Sequence, residues 1–167
     1  MIVENTFTQI WRNGDWVPPG GGASSSGCGS TAKYTENLRR ELPRLIEQLA
    51  IQSMLDAPCG DFAWMKLVGF PAGFRYIGGD IVRPLIAELR SEYPQHDFRQ
   101  FDVTAEALPG CDLFLCRDCL IHFSYRDIAR ALRGFAASDV KLILTTSYPA
   151  IDNVDIATGV HTTLLSK

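Results

Sequence analysis

Three aspartates, Asp56, Asp80 and Asp102, each stand at the carboxyl end of a segment that reads as a strand. A carboxylate only accepts hydrogen bonds, and it can engage two vicinal hydroxyls at once. Asp80 follows Asp56 by 24 residues, close to the spacing at which an acid ending a second strand reaches the ribose of a nucleotide bound over the first. The turn Leu55-Asp56-Ala57-Pro58-Cys59-Gly60-Asp61-Phe62 opens that interval. Farther on, Arg117 and Asp118 follow a fourth such segment, with His122 just beyond. A neutral imidazole can take a proton from a nucleophile at neutral pH. The bland alternative is a structural histidine, because Leu120 to Phe123 is mostly apolar.

The surrounding pattern predicts the elements that position these groups. Ser53–Asp56, Arg75–Gly79, Asp97–Asp102, Asp112–Cys116 and Lys141–Thr146 read as buried strands. Between them, Phe62–Val68 reads as a helix start, and Pro84 suits the first turn of a helix bearing Leu85, Ile86 and Leu89. Ser124 with Asp127 reads as an N-cap pair for a helix whose buried face is Ile128, Leu132 and Phe135. From Thr31, Leu38, Leu42, Leu45, Ile46 and Leu49 fall at helical steps, with a kink or break expected at Pro43. Alternation of strand and helix predicts an α/β, doubly wound, mostly parallel sheet, with the ligand along the carboxyl edge. Residues 1–30 read as an irregular arm with a Gly/Ser-rich loop, either loose or ordered over a ligand with Trp11 and Trp16 as anchors. Residues 31–167 then form the one domain.

At 167 residues, the chain has room for one such core. A net charge of -3 gives no broad basic footprint and speaks against nucleic acid as partner. No apolar run has the length of a membrane span, and Met1–Arg12 lacks the pattern of a secretory signal. Five cysteines without framework spacing suggest reduced thiols and a cytoplasmic setting. Cys111, Cys116 and Cys119 superficially suit a zinc or iron-sulfur site, but no fourth ligand is placed to complete it, so no metal is expected.

The turn after the first strand also discriminates between cofactors. A dinucleotide fingerprint needs G-x-G-x-x-G so that a pyrophosphate can rest on a helix start. This turn has one glycine, and Asp61 stands where the phosphate would go. That opposes NAD and tolerates a cationic sulfonium, favouring S-adenosylmethionine.

Leu55–Phe62, Tyr76–Asp80, Phe101-Asp102-Val103 and Asp112–Phe123 together resemble the successive motifs of class I, Rossmann-like S-adenosylmethionine-dependent methyltransferases. The forms Asp56–Phe62 and Cys116–His122 resemble a bacterial subfamily of unassigned substrate. The resemblance implies that Asp56, Ala57, Cys59 and Gly60 line the methionine end of the cofactor. It implies that Asp80 binds the ribose, Ile81 packs on the adenine, and Asp102 and Val103 lie beside that ring. Arg117 and Asp118 then face the departing methyl group, and Gly29, Ser30 and Thr31 close over the cofactor's carboxylate. The implied activity is methyl transfer to an oxygen or nitrogen nucleophile of a small molecule, glycan or protein group. The Asp/Asn-Pro-Pro-aromatic motif of amino-directed DNA methyltransferases is absent after the fourth strand.

Two departures stand out. Pro58 and Phe62 replace glycines usual in the family, so the turn must be shaped differently. Asn153, Asp155, Ile156 and Gly159 resemble the subfamily's next segment, but His161-Thr162 replaces a Trp-Arg pair, and the sheet is expected to be short of its last strands. An exposed edge on the fifth strand would suit pairing with another copy or a partner chain. The rival readings are a non-catalytic cofactor-binding module working through that partner, and another Rossmann-like nucleotide binder.

Overall fold

The computed structural model describes residues 2–17, 24–147 and 154–159. Pro18-Pro19, Asn153 and His161-Thr162 lie outside the described residues. In chain order the elements are α1 (Ile2–Asn13), α2 (Glu36–Gln48), β1 (Ser53–Asp56), β2 (Arg75–Asp80), α3 (Arg83–Glu92), β3 (Asp97–Gln100), β4 (Leu113–Cys116), α4 (Tyr125–Ala136) and β5 (Leu142–Thr145). Three short 3-10 turns, Cys28–Ser30, Met65–Leu67 and Leu120–His122, punctuate them.

Among the described residues, the five strands are all parallel, in the order β3-β2-β1-β4-β5. The chain leaves β1 toward β2 and β3, then returns to β4 on the other side. Right-handed crossovers running in opposite directions put α3 and α4 on opposite faces of the sheet. The order reverses between β1 and β4, the point at whose carboxyl edge sheets of this kind bind their ligands. Pairing of Asp56 with Gly78 and Leu115 brings the ends of β1, β2 and β4 level.

The central strands form where an apolar run can be covered on both faces. β1 and β4 are buried at every residue, which suits central parallel strands. α3 begins with Pro84 in its first turn and buries Leu85, Ile86 and Leu89. The Ser124 hydroxyl accepts from Asp127 N–H at the start of α4, as the N-cap pattern predicts.

Several expectations need correction. The first thirty residues are not irregular throughout, because α1 occupies Ile2–Asn13. Val3, Phe7, Ile10 and Trp11 recur at helical steps and pack on or within the core. No α-helix starts at Phe62; only the turn Met65–Leu67 forms before β2. Phe62 itself has φ 59, a left-handed conformation that a helix cannot continue through. Its ring sits 5.1 Å from both Tyr93 and Phe98 and 5.4 Å from Tyr76. β3 stops at Gln100 rather than Asp102. α2 starts at Glu36 and carries Pro43 within it; it buries Leu42 and Ile46, while Leu49 is exposed. α4 buries Asp127 and Ala131 and leaves Leu132 exposed.

Candidate functional site

The turn after β1 is fixed from beneath by the sheet. Ala57 N–H donates to Leu115 O and Cys59 N–H to Gly79 O. The Ala57–Pro58 peptide is cis. Gly60 has φ 55, and a Cβ there would lie 2.5 Å from Ser26 Oγ. Glycine therefore serves both the backbone conformation and the close approach of a neighbouring loop.

Two carboxylates are buried at this turn. Asp80 Oδ2 accepts from Gly60 N–H at 3.1 Å, and Oδ1 accepts from Val82 N–H at 2.9 Å. Burial pushes its carboxyl up to about 6, against the lowering effect of those N–H groups. Asp56 Oδ2 accepts from the Tyr76 hydroxyl at 2.8 Å. Burial raises its carboxyl to about 7, offset in part by Tyr76 and by the nearby Arg117 guanidinium. Burial, reinforced by the same two aspartates, also holds the Cys59 thiol protonated. Positive charge brought beside these carboxylates would favour their ionised forms.

Arg117 and Asp118, after β4, close the other side. Arg117 Nη2 donates to Gly29 O at 2.8 Å and pairs with Asp118 Oδ2 at 2.9 Å. Its guanidinium lies 5.5 Å from the Trp64 ring centroid and 5.9 Å from that of Tyr34. A Cβ on Gly29 would stand 3.1 Å from Asp118 Oδ2. Asp118 has φ 48, an unusual conformation for a non-glycine residue and one often found at sites of function.

Residues 24–31 form a strap over the turn. Ser25 donates its N–H and its hydroxyl to Asp61 Oδ2, and Asp61 N–H donates to Ser26 Oγ at 2.9 Å. Asp61 is thus engaged in holding the strap, a role that the charge argument on phosphate did not foresee. Gly29 and Ser30 lie within this strap and Thr31 ends it.

α1 bridges the carboxyl edge. At one end Glu4 Oε1 accepts from Gln100 Nε2, at the close of β3, and faces Arg83 at the start of α3. At the other, Phe7 packs on Trp16 and Phe123, and Trp16 lies 5.1 Å from the His122 ring. His122 therefore sits in an aromatic cluster beneath α1. Residues 154–159 dock alongside: Thr158 Oγ1 accepts from Ser124 N–H and donates to Asp127 Oδ2, and Gly159 N–H donates to His122 O.

The structure brings Asp56, Ala57, Cys59, Gly60, Asp80, Arg117, Asp118 and Gly29 to one locus. Ile81 and Val103 lie partly buried or buried beyond the ends of β2 and β3. Asp102 is more committed than expected, because its Oδ1 accepts from both Thr104 N–H and Thr104 Oγ1. Cys116 lies buried within β4, and Cys119 is buried beside it. Sequence reasoning missed Tyr76, Trp64, Tyr34 and the Asp61–serine contacts. Their partners are distant in sequence, and only the class of residue at Tyr34 and Trp64 offered a signal.

The fold has counterparts of known activity. It matches human N-acetylserotonin methyltransferase in complex with S-adenosylmethionine at TM-score 0.55, with 17% identity over 83% of this chain and 40% of that one. It matches the methyltransferase domain of bacterial CtHen1-CN at TM-score 0.56, with 11% identity over 65% of each chain. The chain has the class I methyltransferase fold. A protein from Pyrococcus horikoshii OT3 matches at TM-score 0.52, with 18% identity over 70% of this chain and 59% of that one. The chain spans roughly half the length of these structures. Its sequence matches no protein-family profile and no curated protein. Among the described residues, no helix is long and apolar enough to cross a membrane.

Proposed function

We propose that this chain binds S-adenosylmethionine over the ends of β1 and β2 and transfers its methyl group to an oxygen or nitrogen nucleophile of a small molecule, glycan or protein group. The observation that carries the reading is the buried Asp80 carboxylate, held against the turn after β1 by Gly60 N–H. The residues present fit the cofactor. Asp80 and Asp118 supply negative charge for its sulfonium and ammonium groups, Asp56 ionises when a cation is brought beside it, Arg117 supplies a counter-charge for its carboxylate, and Asp80 retains lone pairs for ribose hydroxyls. When bound, the cofactor supplies an electrophilic methyl group. The protein's part is to hold the acceptor in line with it, exclude water and offset the charge. His122 is a candidate to remove a proton from the acceptor, held in place by Trp16.

Calorimetry with S-adenosylmethionine, S-adenosylhomocysteine and NAD tests this reading. Binding of the first two, lost in Asp80→Asn, supports it; binding of NAD in their place overturns it. A second reading, a non-catalytic module completed by another chain, is favoured by β5. That edge strand has one described neighbour and leaves Leu142 exposed. A mass in solution above that of one chain supports it, and a monomer at high concentration speaks against it.

A further inference from the structure

A residue outside every motif fixes Asp118. Thr146 follows β5, and its hydroxyl oxygen accepts from Asp118 N–H at 2.9 Å. The same hydroxyl donates to Asp118 Oδ1 at 3.0 Å. One side chain thereby holds both the backbone and the carboxylate of a residue in the left-handed region, where φ is 48. The other carboxylate oxygen pairs with Arg117 and packs against Gly29. Neither oxygen of Asp118 is left to rotate.

We propose that Thr146 is a positioning residue that holds the Asp118 carboxylate as a charge that raises the site's affinity for the sulfonium cofactor relative to its neutral thioether product. The inference rests on the cofactor reading above. S-adenosylmethionine and S-adenosylhomocysteine differ by one methyl group and one positive charge, so a site with fixed shape separates them chiefly by electrostatics. Arg117 acts on Asp56 as well as on Asp118. With the cofactor's own carboxylate on Arg117, as proposed above, Asp118 and the buried Asp80 leave the site with negative charge for a cation. A carboxylate acts this way only when its direction is fixed, because a rotating one would turn toward water and be screened.

Calorimetry on the full chain, with both compounds as probes, tests the proposal. The readout is the ratio of S-adenosylmethionine affinity to S-adenosylhomocysteine affinity. Thr146→Val keeps the shape and β-branching but removes the hydroxyl, and it should lower the ratio about tenfold, the worth of one hydrogen bond to a charged group. Thr146→Ser should restore the parent ratio. Asp118→Asn should lower it as Thr146→Val does, and the double variant should lower it no further. A simple folding defect would weaken both compounds alike and would not be rescued by serine, which would overturn the proposal. An unchanged ratio in Thr146→Val, or in Asp118→Asn, would also overturn it. If the parent binds neither compound, the cofactor reading itself fails, a result distinct from altered selectivity.

Discussion

The buried Asp56 carboxylate makes the empty protein less stable as the pH rises, and replacing it with asparagine should reverse that cost. Asp56 titrates near 3.8 when unfolded and near 7 when folded, because burial disfavours its charged form. A raised folded value means that the native state binds the proton more tightly than the unfolded chain. The associated stability is complete below 3.8, falls across the interval and is gone above about 7. Each pH unit in that interval is worth about 1.4 kcal/mol. Asparagine keeps an oxygen to accept the Tyr76 hydroxyl but never carries the charge. Between pH 5 and pH 8, the stability of Asp56→Asn relative to the parent should therefore rise by about 2–3 kcal/mol. Asp80, whose carboxyl is raised to about 6, titrates in both proteins, so its own slope largely cancels in the difference, while Asp97, Asp112 and Asp127 have lowered carboxyls and act below that interval. Urea denaturation at several pH values, with no cofactor present, gives the difference directly. A difference that stays flat or moves against asparagine with rising pH would refute the reasoning.

Other consequences concern packing around the site. Gly60→Ala should cost about 1–3 kcal/mol by urea denaturation, from strain at φ 55 and displacement of Ser26, and should speed hydrogen exchange in residues 24–31; unchanged exchange there would detach the strap from the turn. Gly78→Ala should destabilise by a similar amount, since its Cβ would meet the Phe98 ring at 2.5 Å; a parent-like midpoint would contradict that packing. Thr158→Val breaks the bonds to Asp127 and Ser124 and should cost about 1–2 kcal/mol in denaturation; no loss would mean that residues 154–159 do not dock on α4.

β1, β4 and β5 were legible because each is a local apolar run, and the Ser124–Asp127 cap because its two partners are three residues apart. α1 was hidden by its neighbour: Val3, Phe7, Ile10 and Trp11 carry the helical pattern, but the Gly/Ser stretch that follows coloured the whole segment. The left-handed Phe62 could not be read locally, since it depends on rings from β2, β3 and the end of α3 closing around it. The site was half legible. Asp56, Asp80 and Asp118 were found by position at strand ends. Asp61 was read as a charge facing a ligand, whereas its partner, Ser25, lies 36 residues away. Thr146 lies 28 residues from Asp118 and had no local signature.

The central claim is that Asp80, fixed against the turn after β1, helps to hold a nucleoside cofactor bearing a sulfonium. Titration of the parent and Asp80→Asn with S-adenosylhomocysteine, at a pH where both are folded, tests it most directly. The parent should bind one molecule per chain saturably, and the variant should bind at least tenfold more weakly, about the effect of one charge-assisted hydrogen bond. Equal binding to both proteins, or none to the parent, would contradict it.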